Sequence, residues 1–328
     1  MQTILVTGGG GYVGSRLIPR LLEQQYCVRV LDWFIFDPHL FDSFQDNPNL
    51  ELIRGDTRDS ELVRRSLEGI DAVIHLAAIS NDPSSDLNPQ LTREVNLEAV
   101  LGLVDIAKQQ GVKRFINASS ASVYGIKEQE NVTEELPLEP ITLYAKYKAE
   151  SEAYILEANS SEFTTVSIRP ATLCGYAPKL RLDLTVNILT HHAVRNGKIT
   201  VFGGEQKRPN LHIGDMINLY LLLLEIEPQK IAGKVFNAGF ENHKVKEIAL
   251  LVKTTLNTPV EIETIPSDDN RSYHISSDKI RRELGFYPKL GIVDAIIELR
   301  DAFVNQVIQN PDDIKYYNVR FMKEHKIM

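Results

Sequence analysis

The sequence predicts an α/β protein, with a doubly wound parallel sheet joined to a smaller α/β lobe. Short apolar segments alternate with helical patterns along the first half of the chain, which is typical of a parallel sheet covered on both faces. This alternation ends near residue 178. A chain of 328 residues is also long for one core. We therefore predict lobes at residues 1–178 and 179–328, with some interleaving of the chain.

Six apolar segments predict the strands of the sheet. They cover residues 3–7, 28–31, 50–53, 72–76, 114–117 and 165–169. Ligands of such sheets bind beyond the carboxyl ends of the strands, where small and polar residues follow several of these segments. Shorter elements at 198–202 and 234–238 predict the smaller lobe, and residues 310–328 are polar enough to predict an extended or frayed tail.

A glycine-rich turn between the first strand and the first helix is the most informative pattern. Gly8 permits a tight turn, Gly11 lets backbone amides approach a phosphate, and Gly14 lets the helix pack close to the strand, as in a Rossmann fold. The unpaired N–H groups and the dipole of the helix start favour a bound pyrophosphate. Pro19 lies inside this helix and predicts a kink or an early end.

The second strand ends in Asp32, about twenty residues after the turn, which is the spacing of a dinucleotide site. A carboxylate there accepts hydrogen bonds from the adenosine ribose and repels a 2′-phosphate. No Arg or Lys occurs among the next few residues. The sequence therefore predicts NAD rather than NADP, and strand, spacing and acid together disfavour a glycine loop without a ligand.

Composition limits the other classes of function. A net charge of −8 disfavours nucleic-acid binding. Cys27 and Cys174 lie in apolar segments and suit reduced, buried thiols. No metal site is predicted, because His191 and His192 are adjacent and point to different faces of a helix. With a strand at the amino terminus and only a short apolar run at 221–224, we expect no signal peptide, no membrane span and a cytoplasmic location.

A tyrosine and a lysine four residues apart predict the catalytic chemistry. Tyr144 and Lys148 share one face of a helical pattern. The ammonium group and a bound nicotinamide cation both favour the phenolate, so Tyr144 can act as a general base and acid. Ser120 follows the fifth strand and is predicted to hold the reacting oxygen. Alone, such residues are commonly surface residues; with the glycine turn, they predict a catalytic group.

With these motifs the chain resembles an extended short-chain dehydrogenase/reductase of the NAD-dependent epimerase/dehydratase family. The matching motifs run in family order along nearly the whole chain: the 7–14 turn, Asp32, Asp56, residues 75–78, Val95 with Asn96, residues 120–125, Tyr144 with Lys148, and Arg169 with Pro170. The resemblance implies a nucleotide-diphosphate sugar as substrate, NAD in the first lobe, and catalysis by Ser120, Tyr144 and Lys148. It also implies a homodimer through helices that contain residues 96–104 and 144–154.

The resemblance implies further binding residues. On the cofactor side these are Tyr12, Val13, Asp56, Thr57, Leu76, Ala77, Ala78 and Asn96, together with Tyr144 and with Lys148 at the nicotinamide ribose. On the substrate side they are Ser120, Thr172, Asn187, Arg208 and Arg271. Guanidinium groups suit a diphosphate because they form parallel hydrogen bonds. The alternatives are surface ion pairs for the two Arg residues and a core hydroxyl for Thr172.

The two residues that directly follow Ser120 help to distinguish between the reactions of the family. Family dehydratases carry an Asp and a Glu where this chain has Ala121 and Ser122, which disfavours dehydration. Residues 120–125 resemble the 4-epimerases, so we predict an NAD-dependent nucleotide-sugar 4-epimerase with a transient 4-keto sugar. Residues 169–187 instead resemble enzymes that modify heptose or deoxy sugars for surface polysaccharides. A 4-dehydrogenase or ketoreductase is therefore the alternative, and the intact Tyr and Lys disfavour a non-catalytic NAD-sensing regulator.

Overall fold

The computed structural model describes residues 1–127, 129, 131–267 and 275–327. Its strands are Thr3–Thr7 (β1), Cys27–Asp32 (β2), Leu50–Arg54 (β3), Ala72–His75 (β4), Arg114–Ala118 (β5), Thr164–Pro170 (β6), Thr172–Cys174 (β7), Lys198–Phe202 (β8), Lys207–His212 (β9), Lys234–Ala238 (β10), Glu241–Lys244 (β11) and Glu261–Ile265 (β12). Within these described ranges, seven strands form one parallel sheet in the order β10-β6-β5-β4-β1-β2-β3.

Helices connect these strands. They are Tyr12–Glu23 (α1), Ser60–Ser66 (α2), Asp82–Ser85 (α3), Pro89–Arg93 (α4), Ala99–Gln109 (α5), Leu143–Glu157 (α6), Thr185–Asn196 (α7), Ile213–Glu225 (α8), Pro228–Ile231 (α9), Val245–Leu256 (α10), Asp278–Leu284 (α11), Ile292–Val304 (α12) and Asn318–Glu324 (α13). A π-helical turn, Glu94–Glu98, joins α4 to α5. In the part of the chain that the structure describes, no helix is long and apolar enough to cross a membrane.

The main sheet is covered on both faces, as the sequence predicts. Ile4 and Val6 of β1 pack in a core that includes side chains of α1 and α8. Leu5, between them, points to the opposite face and packs in a second core with Val73 of β4 and Leu103 of α5. Because successive residues of a strand face opposite sides, the apolar residues 4–6 of β1 require two cores. The doubly wound α/β prediction is confirmed.

The structure corrects the assignment of residues 234–238 to the smaller lobe. These residues form β10, which pairs in parallel with β6 at the edge of the main sheet. Helix α8 precedes β10 and packs against α1, so the crossover returns the chain to the first lobe. A short apolar strand carries no local signal of which sheet it joins, and the pattern of residues 234–238 therefore could not place it.

In the smaller lobe, α7 and α10 pack against β8 of the parallel pair β8 and β12, and α12 packs against α7 and α10. Its core includes Val186, Ile199, Ile248 and Ile296, which are all fully or almost fully buried. Strands β7, β9 and β11 form a separate small sheet beside the main one. Since α12 also contacts β9, this small sheet links the two lobes.

Two local expectations are also corrected. Helix α1 continues through Pro19 to Glu23, so the early end predicted for it is wrong, and the kink stays a prediction. Residues 313–327 are not a frayed tail, because they form a 3-10 turn and α13. The aromatic residues Tyr316 and Phe321 in this polar stretch are buried, and their burial fixes the segment on the protein.

The turn after β1 gives a test of backbone geometry. Gly8 has a φ of +74°, and a Cβ atom there would lie 2.4 Å from the backbone N of Ala77. We expect Gly8→Ala to lower the free energy of unfolding by about 3 kcal/mol, from the strained φ and the clash. The control is Gly102→Ala in α5, where a Cβ meets no atom within 4 Å. Urea unfolding should show Gly102→Ala unchanged or stabilised by about 0.5 kcal/mol, and equal stability of both variants would contradict this reasoning.

Candidate active site

A cavity of about 530 Å³ lies at the carboxyl edge of the main sheet. Its lining includes most of the site residues predicted from the sequence: Gly8, Gly11, Tyr12, Val13, Asp32, Thr57, Leu76, Ala77, Ala78, Ser120, Tyr144 and Thr172. These residues come from the carboxyl ends of β1 to β5 and the segments that follow them, from the start of α1, from β7 and from the start of α6. Its volume is in the range of small-molecule and cofactor sites.

The glycine turn forms a cradle that fits a pyrophosphate. A Cβ on Gly14 would lie 2.3 Å from the carbonyl oxygen of Gly9, so only glycine allows α1 to pack this close to the turn. Within 4 Å, a Cβ atom on Gly11 would meet only one atom, the carbonyl oxygen of Gly8, at a distance of 3.3 Å. Gly11 is the N-cap of α1, and no side chain caps this helix. The first N–H groups of α1 thus remain available to an anion in the cavity.

Asp32 is fixed at the end of β2. One of its carboxylate oxygens accepts a hydrogen bond from Gly10 N at 2.9 Å, and the other accepts one from Phe34 N at 2.6 Å. Burial raises the pKa of Asp32, and the two backbone donors oppose this increase. A carboxylate keeps further lone pairs after accepting two such bonds. Asp32 therefore fits the ribose hydroxyls of a dinucleotide, and the glycine cradle fits its diphosphate.

Lys148 organises the predicted catalytic group. Its side chain is 4% exposed, and its Nζ donates a hydrogen bond to the carbonyl oxygen of Ala118 at 2.7 Å. Ala118 is the last residue of β5, and Ser120 follows two residues later. Tyr144 lies one helical turn before Lys148 on the same face of α6. One hydrogen bond thus fixes the start of α6 beside the loop that carries Ser120.

Local hydrogen bonds explain how the serine loop and α6 begin. Ser120 caps the 3-10 turn Ala121–Tyr124, and its Oγ lies 2.8 Å from the Oγ of Ser122. Thr142 caps α6 by accepting from Ala145 N, and its hydroxyl donates to Asp82 at 2.7 Å. Such caps satisfy backbone N–H groups that have no partner in the helix. They leave the Ser120 and Ser122 hydroxyl groups at the cavity wall.

A buried network of ion pairs and hydrogen bonds supports the elements that carry the predicted catalytic residues. Arg169 of β6 pairs with Glu152 of α6 and donates to the hydroxyl of Tyr124 at 2.7 Å. That hydroxyl donates in turn to Asn237 of β10, also at 2.7 Å. Burial raises the pKa of Tyr124 to about 12, so it stays protonated at neutral pH. The network joins the serine loop, α6, β6 and β10, and Asn237 was not foreseen because it lies far along the chain.

Several predicted residues lie outside the cavity and support its walls. Asn96 is buried, and its side-chain amide bonds both the N–H and the carbonyl of Ile79. Asn187 is fully buried and bonds Gly175 N and the carbonyl oxygen of Arg181. These bonds to backbone groups let Asn96 and Asn187 support the cavity wall, and their contact with a ligand stays a prediction.

Asp56 and the two predicted arginines have separate positions. Asp56 pairs with Arg58, which also pairs with Glu94. Arg208 of β9 lines a second pocket of about 150 Å³. Asp82, Ser122 and Thr172 line both cavities, so Arg208 lies beside the catalytic group. Arg271 and the rest of residues 268–274 lie outside the described residues.

Sequence reasoning missed three charged residues of the cavity. Lys179, Arg181 and Asp183 follow β7 in the loop before α7 and line the cavity. Arg181 binds Asp183 through two hydrogen bonds of 2.9 and 3.0 Å. The available signal was the presence of two cationic residues, at positions 179 and 181, in a chain predicted to bind an anionic diphosphate. The C-terminal residues Asn318, Val319, Met322 and Ile327 also line the cavity, and no local pattern predicts that.

Comparison with known proteins agrees with this geometry. The sequence profile of the NAD dependent epimerase/dehydratase family matches residues 4–239. The chain belongs to this family. It is 30% identical over 318 residues to the UDP-glucose 4-epimerase of Lactobacillus helveticus, covering 90% of this chain and 94% of the relative. It is also 30% identical over 312 residues to the dTDP-D-glucose 4,6-dehydratase of Mus musculus, covering 88% of this chain and 85% of the relative.

Solved structures extend the comparison. The UDP-glucuronic acid 4-epimerase of Bacillus cereus, in complex with UDP-glucuronic acid and NAD, has a TM-score of 0.81 and 26% identity, covering 93% of this chain and 100% of the other. The dTDP-glucose 4,6-dehydratase of Streptomyces venezuelae, with NAD and TYD bound, has a TM-score of 0.83 and 25% identity, covering 94% and 98%. The protein is therefore an NAD-dependent nucleotide-sugar enzyme of the extended short-chain dehydrogenase/reductase type.

Burial of Lys148 predicts a pH dependence of stability. Desolvation lowers its pKa from 10.5 to about 8 in the folded protein, although Glu152 opposes this shift. Between these values the unfolded chain binds the additional proton, so unfolding becomes less favourable as pH rises. The penalty for the buried charge is complete below pH 8. Relative to Lys148→Met, wild type should therefore gain about 2 kcal/mol between pH 7.5 and 10.

Thermal or urea unfolding of both proteins across this pH range measures the difference. Lys146→Met is the control, because Lys146 lies on the exposed side of the same helix. A stability difference between wild type and Lys148→Met that stays constant over the range would contradict the titration of Lys148 in this window.

Proposed function

We propose that the protein is a nucleotide-sugar 4-epimerase that acts through a transient 4-keto sugar. The observation that carries the proposal is the convergence of Ser120 and Tyr144 on the cavity that contains the glycine cradle. Residues 119–125 hold hydroxyl groups and no carboxylate, so this loop has no acid to protonate a leaving hydroxyl group. A reaction that removes and returns hydrogen at one carbon needs only a base, an oxygen donor and NAD.

The chain supplies the proton chemistry of this reaction. Tyr144 accepts the proton of the sugar C4 hydroxyl, and Lys148 stabilises the phenolate by its positive charge. Ser120 donates a hydrogen bond to the same sugar oxygen as negative charge develops on it, which is worth about 3 kcal/mol for one well-placed donor. The glycine cradle and Asp32 would hold NAD, which would supply the acceptor for the C4 hydride and its source for the return step.

Epimerisation requires that the sugar turn over while its nucleotide stays bound. The small pocket beside the catalytic group offers this anchor, because Arg208 and Thr172 line it and Ser122 connects it to the main cavity. A guanidinium group binds a diphosphate by parallel hydrogen bonds that do not depend on the sugar configuration. Arg208 can therefore hold the diphosphate while the 4-keto sugar presents its other face.

Product analysis tests the proposal against the alternatives. Purified protein is incubated with UDP-glucose, UDP-glucuronic acid and dTDP-glucose, and products are identified by NMR. We expect the C4 isomer of one donor without an added oxidant or reductant, and no net change in NAD. In a parallel incubation with one equivalent of added NAD, quantitative 4-keto product with an equal amount of NADH and no isomer would reject the epimerase and support a 4-dehydrogenase. Reduction of a 4-keto sugar by added NADH without any isomerisation would support a ketoreductase. Residues 169–187 favour such a net redox enzyme as the second candidate. A 6-deoxy product would instead indicate a dehydratase.

A variant of the phenol separates catalysis from cofactor binding. We expect Tyr144→Phe to lower kcat by roughly a thousandfold, because it removes the proton acceptor. NAD should remain bound, since the variant keeps the ring and Lys148. The control is Tyr147→Phe, on the same helix but outside the cavity lining, which should keep wild-type kcat. An equal, measurable kcat for wild type and Tyr144→Phe would contradict the proposed role of Tyr144. NAD binding without turnover in either protein would support a non-catalytic NAD sensor.

We also propose a homodimer through α5 and α6. Tyr154 of α6 donates a hydrogen bond to Asp105 of α5 at 2.7 Å, so the two helices present one joint surface. Leu101 lies one turn before Asp105, and Tyr147 lies two turns before Tyr154; both are only half-buried. Such apolar and aromatic residues suit the centre of a subunit interface. Light scattering of wild type and Leu101→Glu tests this, with a dimer and a monomer as the expected masses.

A further inference from the structure

The C-terminal segment, residues 313–327, is folded onto the cofactor lobe rather than away from it. It contains the 3-10 turn Ile314–Tyr316 and helix α13. One side of α13 is buried through Phe321 and Met322, and the other side exposes Lys323 and Glu324. The segment therefore has an inner face that contacts the first lobe and an outer face in solvent.

One asparagine ties this segment to two parts of the cavity wall. Asn318 is 5% exposed, and its Oδ1 accepts a hydrogen bond from Lys179 Nζ at 2.8 Å. Its Nδ2 donates to Ser80 Oγ at 2.9 Å. Ser80 follows β4, and Lys179 lies in the loop after β7. The side chain of Asn318 thus connects the C-terminal segment to the segment after β4 and to the loop after β7, which both line the cavity.

Apolar contacts hold the same segment in place. The ring of Phe321 packs on that of Phe36, with centroids 4.7 Å apart. Met322 and Ile327 form a small cluster with Ile79, Val95 and Trp33. Ile79 and Trp33 line the cavity, as do Met322 and Ile327. The inner face of the segment is therefore part of the wall of the cavity that also contains the glycine cradle and Asp32.

Charge at this wall points to an anionic group of the ligand. Lys179 is 3% exposed, and its Nζ lies 3.9 Å from the centroid of the Phe36 ring. The described residues give it no salt bridge, and burial with the nearby Arg181 lowers its pKa to about 7. A buried ammonium group without an anionic partner is costly. Asp183 and Asp32 lie near enough to oppose the lowering of the Lys179 pKa in part. A diphosphate that enters the cavity adds negative charge and favours the protonated form of Lys179.

We propose that residues 313–327 are a structural wall of the NAD site and retain the cofactor between turnovers. Asn318 and Lys179 act as positioning residues that hold this wall over the dinucleotide. The segment has to move away before NAD leaves, so its contacts set the rate of NAD release. A protein that returns the hydride to its substrate has no need to exchange its cofactor. The proposed role requires only that NAD binds, and not any particular sugar reaction.

The experiment measures NAD release from the loaded, full-length protein. Free NAD is removed, and the protein is mixed with alcohol dehydrogenase and ethanol, which convert each released NAD to NADH; the increase in NADH absorbance gives the rate. We expect Asn318→Ala to release NAD about tenfold faster, because two buried hydrogen bonds are lost. Asn318→Ala combined with Met322→Ala should release it about a hundredfold faster.

Lys323→Ala is the matched control, because Lys323 lies on the outer face of the same helix. It should release NAD at the wild-type rate. Circular dichroism and thermal midpoints of the NAD-free proteins exclude unfolding as the cause. Folded Asn318→Ala and double-variant proteins that release NAD as slowly as wild type would overturn the proposal. Because the assay contains no nucleotide sugar, the measured release rates do not depend on whether the protein is a 4-epimerase.

Discussion

The hydrogen bond from Lys148 to the carbonyl oxygen of Ala118 is the contact on which the site depends. It joins the start of α6 to the end of β5, and these elements carry Tyr144 and Ser120. The bond forms in a buried position, where a charged donor without a partner would be strongly unfavourable. The Arg169, Glu152 and Tyr124 network fixes α6 one helical turn further along the same face. The phenol and the serine hydroxyl are thus preorganised by backbone and core contacts.

The second constraint is that loops from both lobes close one cavity. Tyr12 of α1 donates a hydrogen bond to the carbonyl oxygen of Gly175 at 2.6 Å, and Asn187 bonds the N–H of the same glycine. Arg16 of α1 pairs with Glu298 of α12. These contacts fix the 175–183 loop against the start of α1, which is also the phosphate end of the cavity. Binding of the dinucleotide and the position of the smaller lobe are therefore coupled through one helix.

Local patterns allowed the sequence to predict the sheet, the glycine turn and the presence of Ser120 and Tyr144 at one cavity. Gly8, Gly11 and Gly14 are close in sequence, and so are Tyr144 and Lys148, so their relations follow from turn and helix geometry. The contact of Lys179 with Asn318 joins residues 139 positions apart, and no spacing rule reaches that far. Asn96 and Asn187 fit the family pattern, but sequence does not reveal that backbone groups occupy their amides.

The position of β10 has a consequence for how the protein is made. The ribosome synthesises β6 and the whole of α7 and β8 before residues 234–238 emerge. Until then β6 is an unpaired edge, and the Tyr124 hydroxyl lacks Asn237. The unpaired backbone N–H and C=O groups of such an edge can form hydrogen bonds with strands of other chains. The amino-terminal lobe therefore completes its sheet only after much of the second lobe has left the exit tunnel, which makes the nascent chain most prone to aggregation midway through translation.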